Sequence, residues 1–530
     1  MAEIDSTSSL LGTEETIIER PGTFHYLFSN DLNISIGDFV IINLNNRIYF
    51  GQVGSASLNF VKGDSPKNKF SIFNLSYEQG TINHSGFYAG EGKILAEFIK
   101  DIIDLEFNKY RCSGKGVIRK ATNDEIENYF NSCYEEINPL LPIGSLLNEG
   151  TPIRINLIPK GLNRNTGIFG QSGSGKSFGL SIVVEELHFR TSTDIVVLDP
   201  NGDFLNIKEE LNTLKIINNK RNSIKLNKED IKYYQSKLKE KDHFTKVLSL
   251  EKPDADDSIF IRLSDLETKH QAYLFGLDPI ENKDEFHNFI YLIKELKLSN
   301  PNYTIKELVL YLRSRPNSIN TNLYIAIENL GLENLSIWEK KTADTKPLVD
   351  LLNSNVPQTV VVDLSNISYL EKNIISTVVL ATLWEKQFNR KKNKVQKPTF
   401  LVIDEAHNLF PRNPGSKEDD ITLELGSKIA GEGRKFGLYF LIASQLPSKI
   451  HDHILTQCGN LILMKMLSQS DLATLCSSFS FVSEKLLNLS RSFSIGQALL
   501  IGSFVPAPCL IHFESKKTKE GGRDLDIKWD

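Results

Sequence analysis

Gly170-Gln171-Ser172-Gly173-Ser174-Gly175-Lys176-Ser177 follows a short apolar run, Thr166-Gly167-Ile168-Phe169, and leads into a helix-patterned stretch from Ser177 to Phe189. The octapeptide fits G-x-x-x-x-G-K-[ST] in the strand-to-helix setting that this pattern requires. Its glycines let backbone N–H groups converge on phosphate oxygens, and the helix N-terminus behind them adds partial positive charge. Lys176 is expected to bridge the β- and γ-phosphates of ATP, and the Ser177 hydroxyl to ligate Mg²⁺. A glycine-rich turn with no ligand is the alternative reading, and the flanking strand and helix argue against it.

A phosphate cradle that hydrolyses ATP needs carboxylates nearby. Leu401-Val402-Ile403-Asp404-Glu405-Ala406-His407 is an apolar run ending in two of them, the form of a Walker B motif. Asp404 is expected to orient the Mg²⁺ shell and Glu405 to polarise the attacking water. Asp199-Pro200-Asn201-Gly202-Asp203 closes another buried run, so the Asp199 carboxylate is a candidate for the γ-phosphate crevice, against the plainer reading of a Pro-Asn-Gly turn. In Ala443-Ser444-Gln445 the Gln445 amide could sense the γ-phosphate or the water. Arg434, in Gly431-Glu432-Gly433-Arg434-Lys435-Phe436-Gly437, is a candidate arginine finger delivered to a neighbouring subunit, with surface pairing to Glu432 as its alternative. Arg164, just before the P-loop strand, is a second candidate.

Further out, continuous apolar runs at Asp194–Leu198, Thr359–Leu364, Thr399–Asp404, Leu438–Ser444 and Asn460–Met464 alternate with helical patterns. They imply an α/β fold: a RecA-like P-loop core with a parallel sheet covered on both faces. The core is expected over 150–224 and 351–515, split by a Lys/Glu-rich helical insertion at 225–350. Before it, 22–149 reads as a small N-terminal β-barrel of short strands, with a hairpin turn at Asn45-Asn46. Residues 1–21 read as a disordered head and 516–530 as a C-terminal tail.

The chain of 530 residues carries 40% hydrophobic and 24% charged residues, the composition of an ordinary globular protein of two or three domains. No apolar run is long enough to span a membrane, and the first residues lack a signal-peptide pattern, so a cytoplasmic location is expected. Five scattered cysteines, none in C-x-x-C spacing, fit reduced thiols better than disulfides or zinc. A net charge of −5 gives no overall attraction for nucleic acid, so any DNA surface must be a local basic lining. Two segments are candidates for it: Asn389-Arg390-Lys391-Lys392-Asn393-Lys394, for which a solvated loop is the ordinary reading, and Pro411-Arg412-Asn413-Pro414-Gly415-Ser416-Lys417, which could face a ring's pore.

Taken together, the P-loop, Asp199–Asp203, Ile403–His407, Glu432–Gly437 and Ala443–Gln445 resemble the HerA-type ATPases of the HerA/FtsK superfamily. Ile36–Val40 with Gly51–Val53 is similar to the family's N-terminal HAS barrel, and Gly496–Gly502 followed by Pro506 to its C-terminal strand pair. The resemblance implies a homo-hexameric ring with ATP sites between subunits and double-stranded DNA through its centre. It also implies a nuclease or sirtuin-like effector on the barrel face, with antiphage defence as the setting of bacterial members. The family's roles transfer to Lys176, Ser177, Asp199, Glu405, Gln445 and Arg434. Asp203 departs from the pattern, standing where a Glu is common, and Gly431 stands where a basic residue is common. A ring scaffold that senses ATP and regulates an effector without translocating is the second functional reading. A membrane-anchored secretion or conjugation motor is the third, and the absence of an apolar span counts against it.

Overall fold

In the computed structural model, residues 15–20, 22–29, 35–60, 86–99, 102–106, 114–148, 151–209, 228–250, 255–338, 346–354, 356, 358–519 and 521 are described. The β-branched, apolar runs of the sequence form parallel strands of one large sheet. Their order is Thr245–Leu248, Thr359–Asp363, Asp194–Asp199, Thr399–Ile403, Leu438–Ser444, Asn165–Phe169 and Cys458–Leu463. Side chains alternate between its faces. Val196, Leu198, Val360, Val362, Leu401 and Ile403 enter one core, while Ile195, Val197, Val361 and Val402 enter the other. Helix Lys176–Arg190 closes the second face through Leu180, Val183, Val184 and Leu187, and helix Tyr369–Lys392 closes the first through Ile374, Ile375, Val378 and Leu383. Each such side chain contributes about 1.5–3 kcal/mol by burial, so continuously apolar strands are stable only when covered on both sides.

Four antiparallel strands extend this sheet to eleven among the described residues: Gln497–Gly502, Cys509–Phe513, Leu141–Leu146 and Arg154–Leu157. The first two are the expected C-terminal strand pair. Leu141–Leu146, assigned from sequence to the barrel at 22–149, belongs instead to the large sheet, where it pairs with Ile511–Phe513. The insertion at 225–350 is also not wholly helical, because Thr245–Leu248 forms the edge of the parallel sheet. Helices Lys283–Ser299 and Ile305–Ser314 of that segment bury Phe289, Ile293, Leu308 and Leu312 in the same core as the sheet. Nor is the start of the segment at 516–530 a loose tail. Lys516, Lys517 and Thr518 are buried, and the carboxylate of Glu185 accepts hydrogen bonds from the backbone N–H groups of Lys517 and Thr518, each at 2.9 Å. Lys517 also meets Glu186 at 2.8 Å, so the segment is clipped to the P-loop helix.

Among the described residues, the N-terminal strands make a seven-stranded antiparallel sheet that curls round on itself: Thr23–Ser29 pairs both with Glu15–Arg20 and with Gly86–Ile99. Glu15–Arg20 lies in the segment expected to be a disordered head and is a strand; residues 1–14 lie outside the described residues. Phe24, Tyr26, Val40, Ile42, Tyr49, Val53, Ile94 and Ile118 form the core of the curl. Its hairpin turns at Asn45 (φ 48°) and Asn46 (φ 63°), the left-handed pair that a tight two-residue turn requires and that asparagine tolerates. Among the described residues, no helix is long and apolar enough to cross a membrane.

Candidate active site

Every carboxyl end of the parallel strands faces the same edge, and the chemistry gathers there. The P-loop leaves the Asn165–Phe169 strand and turns into helix Lys176–Arg190 through Gly173 (φ 72°) and Gly175 (φ 91°), conformations that glycine adopts without strain. A β-carbon at Gly173 would meet nothing within 4 Å, so the loop's crown faces open space. At Gly170, by contrast, a β-carbon would lie 2.6 Å from Ser174 Oγ. The loop is pinned from outside: the Gln171 N–H donates to Lys465 O at 2.9 Å, and the Gly496 N–H donates to Ser174 O at 3.2 Å. Ser172 is exposed, Ser177 is half-buried, and the buried Ser174 hydroxyl has no hydrogen-bond partner among the described residues.

Lys176 joins the loop to the Walker B end. Its amine is buried, hydrogen-bonded to Asp404 Oδ1 and 3.0 Å from Glu405 Oε1. Burial alone would favour the neutral amine. The two carboxylates outweigh it and hold Lys176 above the ordinary lysine value. Glu405 sits at φ 48°, a left-handed conformation uncommon outside glycine, and this turn brings its carboxylate back over the loop. Gln445 holds that carboxylate by Nε2 to Oε1 at 2.7 Å and by its backbone N–H to Oε2 at 3.3 Å. His407 Nδ1 lies 3.2 Å from Oε2 and 2.9 Å from Ser444 Oγ. Burial opposes ionisation of Glu405, but His407, Lys176 and Gln445 together bring its pKa down to about 2. The group proposed to polarise water is therefore a carboxylate at any physiological pH. Lys176, Asp404, Glu405 and Gln445 form one cluster.

Asp199 is different. Its Oδ1 accepts the N–H groups of Gly202 at 2.8 Å, Asp203 at 3.1 Å and Asn201 at 3.3 Å, and its Oδ2 accepts that of Phe204 at 2.8 Å. Burial pushes its pKa up to about 7 against those donors, with Asp203 adding to the rise. A carboxylate that accepts from four backbone N–H groups organises the loop that follows it, a role that the sequence reading did not give Asp199. The loop it shapes delivers Asn201, whose Nδ2 lies 3.4 Å from Asp404 Oδ2, a contact that the sequence reading missed. Replacing Asp199 by alanine is expected to lower stability by on the order of 3 kcal/mol, measured by urea unfolding, because several buried donors lose their acceptor. Wild-type stability with lost hydrolysis would assign Asp199 to catalysis.

Arg434 and Arg164 lie at the opposite edge. Both act on Tyr439, the second residue of the Leu438–Ser444 strand, whereas Gln445 follows that strand's far end. Arg434 is exposed and, among the described residues, makes no ion pair; Arg164 is half-buried, with Nη1 donating to Asn163 O at 3.0 Å. Neither reaches this chain's own P-loop. The candidate DNA segments are also constrained. Asn389–Lys392 is the last turn of helix Tyr369–Lys392 and not a free loop, and Arg390 is buried, 2.7 Å from Asp194 Oδ2. Arg412 is tied to Asp452 at 2.8 Å.

Residues 141–383 match the family model described as the central domain of helicase HerA, and that match begins where the Leu141–Leu146 strand enters the sheet. The chain is 24% identical over 420 residues to "DNA double-strand break repair helicase HerA" of Sulfurisphaera tokodaii, covering 77% of this chain and 75% of the relative. It is also 24% identical over 543 residues to "Probable DNA double-strand break repair helicase HerA" of Methanocaldococcus jannaschii, covering 96% and 97%. These matches support a HerA/FtsK-type P-loop ATPase. In this chain an open glycine crown, an orphaned Ser174 hydroxyl and a buried cation between two carboxylates suit a nucleoside triphosphate. Ser177 and Asp404 are the oxygen donors that would hold Mg²⁺, which supplies charge neutralisation on the phosphates.

Proposed function

We propose that this ATPase is a motor on duplex DNA, working as a homo-hexameric ring whose active sites are completed between subunits. The observation that carries the reading is the place of Arg434. It is an exposed cation with no ion pair among the described residues, at the sheet edge away from its own P-loop and of use to phosphate chemistry only in a neighbour. Within each site Lys176 holds the terminal phosphates, Asp404 and Ser177 would hold Mg²⁺, and Glu405, steadied by Gln445 and His407, polarises the attacking water. The HerA relatives, named as DNA double-strand break repair helicases, support DNA as the track. Duplex DNA should stimulate ATP hydrolysis, and rising salt should remove the stimulation as phosphate contacts are screened. Hydrolysis indifferent to DNA would favour the ring scaffold that only senses ATP.

Arg434→Ala subunits are expected to bind nucleotide normally and hydrolyse it poorly. Mixing them with Glu405→Gln subunits, which keep Arg434, should restore activity to mixed rings, because each donated arginine completes a site with an intact Glu405. No rescue would place Arg434 within its own subunit's chemistry.

The reading extends to a partner. The curled N-terminal sheet holds none of the ATP cluster and exposes Ile48, Ile99, Ile102 and Val117. It is the proposed seat of a nuclease or sirtuin-like effector, in a cytoplasmic antiphage role. A chain beginning near residue 136 keeps Leu141–Leu146 in the core sheet. It should still form rings with nucleotide yet lose the effector encoded beside it. Retained effector would move docking to the core or the insertion.

A further inference from the structure

The phosphate chemistry lies to one side of the P-loop strand, toward Leu438–Ser444 and the Walker B strand. On its other side, beyond Cys458–Leu463, stand the ends of Gln497–Gly502 and Cys509–Phe513. Gln497 pairs with His512 at the same edge as the P-loop. The turn that starts this strand pair abuts the loop: Gly496 is hydrogen-bonded to Ser174 O, and a β-carbon on Gly175 would stand 3.7 Å from Ile495 Cγ2. Ile495 is 64% exposed, an isoleucine left in solvent beside a phosphate cradle. Behind it, a β-carbon on Gly496 would stand 3.5 Å from His512 Nε2. His512 Nδ1 lies 2.9 Å from Phe513 O. A carbonyl oxygen only accepts, so Nδ1 carries the proton and Nε2 is left as an acceptor.

The geometry points to the Ile495–Gly496 turn and His512 as the nucleobase subsite, with Ile495 packing on the base and His512 Nε2 accepting from the 6-amino group of adenine. A nucleotide with its terminal phosphates at Lys176 and Asp404 must run its ribose and base away from the Walker B side, toward this turn. Guanine presents a carbonyl where adenine has its amino group. Two acceptors then face each other, and the site selects adenine. This assignment rests on the P-loop site described above and adds the source of its base preference.

The test is calorimetric titration of the full chain with ADP, GDP and pyrophosphate, each with Mg²⁺. Wild type is expected to bind ADP more tightly than GDP by about tenfold, the scale of one hydrogen bond made against one left unpaired. Ile495→Ser should weaken ADP and GDP alike, by about tenfold, from lost apolar contact, and leave pyrophosphate unchanged. His512→Phe should weaken ADP alone, closing the gap to GDP, again with pyrophosphate unchanged. An unaltered ADP-to-GDP ratio in His512→Phe, or unaltered ADP binding in Ile495→Ser, overturns the proposal. Equal loss of ADP and pyrophosphate overturns it too, because the turn would then support the loop and not the base. Failure of wild type to bind pyrophosphate would instead count against the phosphate site itself.

Discussion

Lys176→Ala is expected to abolish ATP hydrolysis, by about 10³-fold or more, equivalent to about 4 kcal/mol of lost transition-state stabilisation. The amine is the only side-chain cation of the P-loop, and it also neutralises Asp404 and Glu405, with which it is buried. Its removal therefore acts twice. The phosphates lose their charge partner, and two carboxylates are left buried side by side, which costs stability as well as activity. Steady-state hydrolysis together with thermal unfolding reads both effects. Turnover near wild type would mean that the cradle is not where phosphate binds.

Glu405→Gln is expected to keep nucleotide binding and to lower turnover by about 10²–10⁴-fold. The amide retains the shape and can still accept from Gln445 Nε2, but it has no charge with which to polarise water. The pH dependence follows from the depressed pKa. A carboxyl moved from its ordinary 4.5 down to about 2 contributes stability above the ordinary value. That contribution is lost as pH falls from about 4.5 towards 2. Wild type should thus lose more stability than Glu405→Gln over this acid range, and the hydrolysis rate between pH 6 and 9 should show no step owed to Glu405. Equal acid sensitivity in the two proteins would contradict the cluster's electrostatics.

The P-loop and the Walker B carboxylates were legible because their chemistry is local: the motif, the strand before it and the helix or turn after it are contiguous in sequence. Gln445 was legible for the same reason, standing at the end of a continuous apolar strand. The hold of Asp199 on its own loop was not legible, because a carboxylate at a strand end looks the same in sequence whether it points outward or folds back. The signal lay in the Pro-Asn-Gly that follows, a turn whose N–H groups a preceding aspartate is well placed to accept. The run Asn389–Lys394 carried a signal of another kind, since basic residues favour the last turn of a helix, where the dipole is negative. Leu141–Leu146 could not be placed from its own residues. Its partner strand, Cys509–Phe513, lies near the other end of the chain, and its Pro142 and Gly144 blur the strand pattern. His407, Asn201 and His512 were missed because each matters through a neighbour brought close only by the fold.

The central claim is that ATP hydrolysis at Glu405 drives movement along duplex DNA. Displacement of streptavidin from a biotinylated duplex tests it most directly, with wild type and Glu405→Gln compared at matched protein and salt. Wild type with ATP should displace the block, while wild type without ATP and Glu405→Gln with ATP should not. DNA-stimulated hydrolysis by wild type with no displacement would contradict the account, leaving a ring that senses DNA and ATP without moving.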